Sequence, residues 1–315
     1  MTEKVELFDL QIIKTIGMGT FNRVQLVKHQ RTQKYYALKV INMQKVITAQ
    51  QVEHVHREKS LLSISRHPFI LHLVSTAKTD RNLYIITEFL SGGELYTQLY
   101  TKQRFPASTA CFYAAEIACA LQFLHGLAIV YRDLKPENLV FSSKGHVKLT
   151  DFGFSKRLQG KTFTLCGTAE YLAPEVVSRS GHEFPVDWWA LGILTFEMLT
   201  GQPPFQGESQ QATYDLITKA QPQIPDEIEP TSRAFIAELL EKDPTRRLGC
   251  VDSQVLQHPF FSKIDLKAVE AEKIQPPFVP ELENEGDTFY FPPFDEASIE
   301  ELPVNQKERD LFSEW

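Results

Sequence analysis

The chain changes its periodicity once, at Ser91-Gly92-Gly93, and that change limits the folds open to it. Before the glycines, short alternating or β-branched runs recur: Leu10-Gln11-Ile12-Ile13, Arg23-Val24-Gln25-Leu26-Val27, Tyr35-Tyr36-Ala37-Leu38-Lys39-Val40-Ile41 and Leu83-Tyr84-Ile85-Ile86-Thr87. These read as strands of an antiparallel sheet. One helical pattern, over 50–65, interrupts them and brings Val52, Val55 and Leu62 near one face. After the glycines the patterns are long and helical, over 107–125, 186–200, 210–220 and 232–240. A loop-rich stretch over 131–175 carries short β runs at 139–141 and 147–149. The expectation is an α+β chain of two lobes, with a β-rich small lobe over 1–90 and a mostly helical large lobe over 91–261. Residues 262–315 form an acidic, proline-rich tail that keeps Phe278, Phe289, Tyr290, Phe291, Phe294, Phe312 and Trp315. A disordered tail lacks such aromatics, so this one is expected to drape over the lobes.

Two stretches are apolar enough to test as membrane spans. The first, over 110–131, is broken by Glu116, Gln122 and His125, and the second, over 186–199, carries Asp187 and Glu197. Both read as buried core helices, and no membrane association is expected. Met1-Thr2-Glu3-Lys4 leads into Val5 without the apolar core of a secretory signal, and Thr2 is not the glycine that myristoylation needs. Lys+Arg number 33 against 40 Asp+Glu, a net charge of -7, which excludes bulk attraction to nucleic acid or anionic lipid. Cys111, Cys119, Cys166 and Cys250 form no CxxC pair and read as reduced thiols. The expected location is the cytoplasm, with the nucleus as the alternative.

The chemistry lies in an ordered set of motifs. Ile16-Gly17-Met18-Gly19-Thr20-Phe21-Asn22-Arg23-Val24 joins two expected strands, and its glycines let backbone N–H groups approach phosphates closely. Alone, such a segment reads better as a hairpin turn. Lys39 follows in a strand and Glu58 on the helical pattern. Then come Tyr131-Arg132-Asp133-Leu134-Lys135-Pro136-Glu137-Asn138, Asp151-Phe152-Gly153 and Ala173-Pro174-Glu175. Chance does not produce the whole series in order.

On these residues the chain resembles the protein kinase family, continuously over about 8–261. Tyr131, the segment from Thr164 to Glu175, Val186-Asp187-Trp188-Trp189-Ala190-Leu191-Gly192 and the aromatic tail are similar to the AGC group, within it to the cAMP-dependent protein kinase catalytic subunits and protein kinase X. The resemblance implies a bilobal kinase fold and transfer of the ATP γ-phosphate to Ser or Thr. Lys39 would hold the α/β phosphates and pair with Glu58; Asn138 and Asp151 would bind Mg²⁺; Asp133 would accept the substrate hydroxyl's proton; Lys135 would stabilise the moving phosphate. The nucleotide would meet the glycine-rich segment from Ile16 to Asn22, then Val24 and Ala37 above the adenine, Val140 beneath it, Thr87, Glu88 and Leu90 at the linker, Glu94, and Phe291 from the tail. Thr87 stands where the cAMP-dependent enzyme has a bulkier Met, so a deeper pocket is expected.

The resemblance also assigns Thr164 as the activation-loop phosphosite, its phosphate gathering His54, Arg132, Lys156 and Lys161. Lys161 stands where relatives have Arg, which points to an upstream kinase. Glu94, Glu137, Glu170, Glu197 and Asp295 match carboxylates that read arginines in basic protein substrates. Leu165 and Leu172 would receive an apolar residue after the phosphoacceptor, although Ala169 replaces the family's proline. Glu175 and Arg247 match a structural ion pair. Further partners implied are a cyclic-nucleotide-binding regulatory subunit and a pseudosubstrate inhibitor; Phe163 departs from a regulatory-subunit contact, while Tyr214 matches one. Asn22 replaces the third glycine of the loop, where its ease at positive φ would preserve the backbone while its side chain would crowd the phosphates or alter loop mobility. Pro303 occupies the position of a tail phosphosite, and Phe312-Ser313-Glu314-Trp315 is similar to an aromatic motif that docks on the small lobe. Two alternatives stand beside a cAMP-controlled kinase: an AGC kinase independent of cAMP, and a nucleotide-binding scaffold of low activity, motivated by Asn22 and Ala169.

Overall fold

Five antiparallel strands, β1 (Leu10–Met18), β2 (Asn22–His29), β3 (Tyr35–Asn42), β4 (Leu73–Lys78) and β5 (Asn82–Glu88), form one sheet in the order β1-β2-β3-β5-β4. The computed structural model describes residues 5–250, 254–294 and 303–315. Two helices, α1 (Met43–Thr48) and α2 (Val52–Ile64), lie between β3 and β4. The expected single helix is therefore two. In α1 the Asn42 side chain caps the Lys45 amide, and Met43 and Val46 are buried, but six residues are too few to display a helical period. Strand β4 escaped notice because Ser75 and Thr76 dilute its apolar pattern and most of it is only half-buried.

Beyond the glycines come α3 (Leu95–Lys102), α4 (Ala107–Gly126), β6 (Ile129–Val130), β7 (Leu139–Phe141), β8 (Val147–Leu149) and β9 (Lys156–Arg157). The rest is helical: α5 (Pro174–Val177), α6 (Pro185–Thr200), α7 (Gln210–Lys219), α8 (Pro230–Leu239), α9 (Leu266–Glu270) and α10 (Gln306–Asp310). Helices α4 and α6 cross in the core and bury most of their residues, including the charged Glu116 and Asp187. Neither charge is stranded. Glu116 takes His146 Nδ1 at 2.5 Å and the Val147 amide at 2.9 Å. Asp187 accepts the amides of Tyr131 and Arg132, both at 2.8 Å, and contacts His125 Nε2 at 2.8 Å. Those amides belong to the loop ahead of Asp133, so the centre of the large lobe holds that loop directly.

The tail lies against both lobes. A Cβ on Gly145, at φ +91°, would fall 1.9 Å from the Phe278 carbonyl oxygen, so only glycine admits the tail there. Phe278 also packs edge-on against Phe141, 4.9 Å between centroids, and its amide donates to Tyr113 Oη at 3.1 Å. Farther on, Phe312 is fully buried and stacks on His56, and Lys59 Nζ lies over the Trp315 ring at 5.1 Å. Phe289, by contrast, is 79% exposed. Pro303 is exposed and Asp295 lies outside the described residues.

Arg247, wholly buried, grips Glu175 with two hydrogen bonds of 2.6 and 2.9 Å. Removing one partner strands the other charge in a dry site, so Arg247→Met and Glu175→Gln are each expected to cost about 3–5 kcal/mol in urea unfolding.

Candidate active site

Between the sheet and the helical lobe runs a cleft of about 440 Å³. Ile16, Gly17, Met18, Gly19, Asn22, Val24 and Ala37 line it from the sheet side, Thr87, Glu88 and Leu90 at the linker, and Glu94, Val140, Asp151 and Phe291 from the other side. Thr20 and Phe21 do not line it. Thr20 sits exposed at the turn, while Phe21 packs on the core and its carbonyl accepts the Asn42 amide at 3.0 Å.

Asn22 departs from expectation in a different way. It opens β2 opposite Ile41 and does not have a positive φ, so its backbone makes no demand for glycine. Its side chain instead fills the space over Gly19, where an added Cβ would meet Asn22 Oδ1 at 2.9 Å. A side chain at residue 19 would have to displace the Asn22 carboxamide.

Lys39, in mid-β3, reaches Glu58 on α2 at 2.5 Å. Burial alone pulls the Lys39 ammonium down, but Glu58 and Asp151 outweigh it and hold its pKa above the ordinary value. A permanent cation therefore faces the cleft. Asp151 Oδ1 accepts the Gly153 amide at 2.8 Å, and its other oxygen has no hydrogen-bond partner among the described residues.

Asp133 and Asn138 are buried side by side. Asn138 Nδ2 donates to Asp133 Oδ2 at 2.6 Å and to its carbonyl at 2.8 Å, which leaves Asn138 Oδ1 turned away from Asp133. Burial raises the Asp133 pKa; Lys135, 3.8 Å away, and the Asn138 hydrogen bond oppose it. Lys135 Nζ also donates to Thr168 Oγ1 at 3.0 Å. Thr168 was missed in the sequence because a lone threonine in a loop carries no pattern. The backbone is strained beside this site, since Arg132 stands at φ +69° and is held by Asp187 and by its own Nε bond to the Phe154 carbonyl, 2.7 Å.

Four acidic groups gather along the large-lobe side. Burial raises the Glu94 carboxyl, with Glu137 adding repulsion. Burial likewise raises Glu197; its hydrogen bond from Tyr171 opposes this, and Glu137 and Glu170 reinforce it. Leu172 is buried in a small cavity with Thr168 and Val176, whereas Leu165 is exposed and lies outside that cavity. The two leucines are not brought into one pocket here.

Thr164 is exposed. Of its expected basic partners, Arg132 bonds Phe154, Lys156 donates to Thr162 Oγ1 at 3.0 Å, His54 bonds Gln51, and Lys161 is exposed. Burial and the nearby Arg57 and Arg132 lower the His54 pKa, so Arg57 joins this basic group unforeseen.

The cleft has a further apolar end that the motifs did not signal. Leu62, Leu71 and Ile85 line it together with the buried Thr87; Lys39, Glu58, Phe89, Glu137 and Thr150 also belong to the lining of the cleft. Phe89 packs on Phe291 at 5.6 Å.

A cation fixed in a nucleotide-sized cleft beside Asp151, with the Asp133–Asn138 pair adjoining it through Thr150, is the equipment of a phosphotransferase. The chain belongs to the protein kinase family: the protein kinase domain matches over residues 10–261. It is an ATP-dependent protein kinase with a sheet-rich N-terminal and a helical C-terminal region. It is 44% identical to a "cAMP-dependent protein kinase, catalytic subunit-like" protein of Caenorhabditis elegans, over 99% of this chain and 79% of that protein. With the human "cAMP-dependent protein kinase catalytic subunit PRKX" it shares 44% identity over 98% of this chain and 87% of the relative. The yeast "cAMP-dependent protein kinase type 3" is 39% identical over 94% and 75% respectively.

The small Thr87 side chain shares the cleft's lining with Leu62, Leu71 and Ile85. Thr87→Met should weaken an ATP-competitive inhibitor with a bulky group directed past residue 87 by about tenfold or more, with the KM for ATP shifted far less, in inhibition assays.

Proposed function

We propose that the chain transfers the γ-phosphate of ATP to serine or threonine in arginine-containing proteins, as an AGC-group kinase controlled by a cyclic-nucleotide-binding regulatory subunit. The observation that carries the catalytic part is a cleft lined by Lys39, Glu58 and Asp151, with the Asp133–Asn138–Lys135 group beside it: Thr150 of the lining donates to the Asn138 carbonyl through its amide and its hydroxyl, and Asp151 acts electrostatically on Asp133. The names of the relatives support the regulatory part.

The donor set fits Mg²⁺. No cluster of three His, Cys, Asp or Glu suited to a metal occurs among the described residues, but Asp151 offers a free carboxylate oxygen and Asn138 a free amide oxygen. A hard cation that keeps water and takes phosphate oxygens needs no more protein ligands than these. Mg²⁺, when bound, compensates phosphate charge. Lys39 binds the α/β phosphates, kept charged and aimed by Glu58. Gly17 and Gly19 leave room for phosphates near the backbone, Val24, Ala37 and Val140 sandwich the adenine, and the Leu90 amide, without a hydrogen-bond partner among the described residues, is available to its edge. Asp133 accepts the proton of the substrate hydroxyl, oriented by Asn138. Lys135, steadied by Thr168, meets the charge of the phosphate in transfer.

Glu94, Glu137, Glu170 and Glu197 supply the carboxylate pairs that guanidinium forks require. Phosphate on Thr164 would draw on Arg132, Arg57 and His54 across the loop and α2, delivered by an upstream kinase in view of Lys161. A pseudosubstrate inhibitor would occupy the same acidic surface.

Radiolabelled transfer to an Arg-Arg-x-Ser-apolar peptide tests this, beside an acidic peptide and Asp151→Ala, with and without regulatory subunit and cAMP. Transfer to the basic peptide alone, silenced by the subunit and restored by cAMP, is the expected result. Indifference to the subunit would favour the cAMP-independent alternative, and no transfer would favour the scaffold. The pH profile follows from the raised carboxyls: Glu94, Glu197 and Asp133 take up protons at higher pH than ordinary carboxylates, so kcat/KM for the basic peptide falls on acidification before ATP binding does. Glu197→Gln should raise the peptide KM by about tenfold.

A further inference from the structure

Lys148 lies behind the cleft rather than in it. Its ammonium donates to both oxygens of Glu88, at 2.8 and 3.0 Å, with side-chain exposures of 11% and 29%. Glu88 is the last residue of β5 and begins the linker between the lobes. Its carboxylate is engaged by the protein itself, because Oε1 also accepts the His72 amide at 2.8 Å. The Glu88 amide in turn donates to the His72 carbonyl at 3.1 Å.

These bonds close a ring. Segment 69–71 pairs with β8, the Leu149 amide donating to Phe69 at 3.0 Å and the Leu71 amide to Leu149 at 2.9 Å. The next residue, His72, binds Glu88 through both its amide and its carbonyl. Lys148 completes the circuit from Glu88 back to β8. That strand is itself anchored, since the Val147 amide donates to the buried Glu116 of α4 at 2.9 Å. It ends two residues before Asp151. One buried lysine thus ties the linker to the strand that leads to Asp151.

We propose that Lys148 is a positioning residue for the nucleotide, acting through Glu88 to set the linker against the large-lobe side of the cleft. This rests on the kinase reading above. The two backbone corners of the ring hold without Lys148, so its loss should leave the fold standing while the linker residues and Asp151 lose their fixed spacing. The interaction is present before and during transfer alike, so it belongs to ground-state binding and should appear in KM rather than kcat.

The test compares wild type, Lys148→Met, Lys148→Arg, Glu88→Gln and the Lys148→Met/Glu88→Gln double variant, by MgATP titration and by steady-state kinetics on the basic peptide. Lys148→Met and Glu88→Gln should each raise the Kd and KM for ATP by about threefold to fivefold, with kcat at saturating ATP within about twofold of wild type. The double variant should be no worse than either single one, since both break the same pair. Lys148→Arg, which keeps the charge, should restore wild-type KM. An unchanged KM for ATP in Lys148→Met or Glu88→Gln, a lowered melting temperature alone, or fully additive losses would overturn the proposal. If Lys148→Met does not fold, Glu88→Gln against Lys148→Arg still decides it. Failure of wild type to bind MgATP would instead overturn the kinase reading, and this proposal with it.

Discussion

The Lys39–Glu58 ion pair is the joint on which the rest of the site depends. Lys39 is placed by the register of β3 between β2 and β5, and Glu58 by the packing of α2 through Val55, Leu61 and Leu62. Each anchor is apolar and stiff; the pair that joins them is polar and half-open. Burial works against the ammonium, and the two carboxylates around it outweigh that burial. The cleft has its cation because strand, helix and Asp151 are all in place together. The same helix presents His56 and Lys59 to Phe312, Glu314 and Trp315, so the tail bears on the carrier of Glu58 from outside.

Opposite this joint the large lobe solves a different problem, that of holding an irregular loop rigid. Burying Asp187 in α6 is costly unless its oxygens are filled, and the amides of Tyr131 and Arg132 fill them. That exchange stabilises both the helix and the strained Arg132, and it delivers Asp133 beside Asn138 and Lys135. Glu116 does the same for the Val147 amide. Two carboxylates buried in core helices therefore organise the loops that carry the chemistry, by hydrogen bonds to backbone rather than by contact with substrate.

What could be read beforehand follows from this division. Lys39, Glu58, Asp133, Asn138 and Asp151 stand in fixed order at conspicuous spacings, and the long helices of the large lobe are strongly periodic. Short elements such as α1 and β4 carry no period and emerge only from packing. Thr168, and the Leu62, Leu71 and Ile85 end of the cleft, depend on side chains far apart in the chain meeting in space. The Lys148–Glu88 pair spans sixty residues and belongs to no motif. Thr20 and Phe21 were drawn into the site by their neighbours in sequence, yet one sits at the turn and the other packs into the core. Asn22 makes no demand of positive φ on the backbone; its side chain lies over Gly19, a contact that spacing in the sequence does not reveal.

The central claim is that Asp133 takes the hydroxyl proton in a cleft whose nucleotide grip is supplied elsewhere. Single-turnover transfer from MgATP to the basic peptide, measured for wild type and Asp133→Ala with the MgATP dissociation constant determined in parallel, tests it most directly. Transfer should slow by about 10²- to 10⁴-fold while MgATP binding changes by less than about threefold. Transfer at the wild-type rate in Asp133→Ala would contradict it.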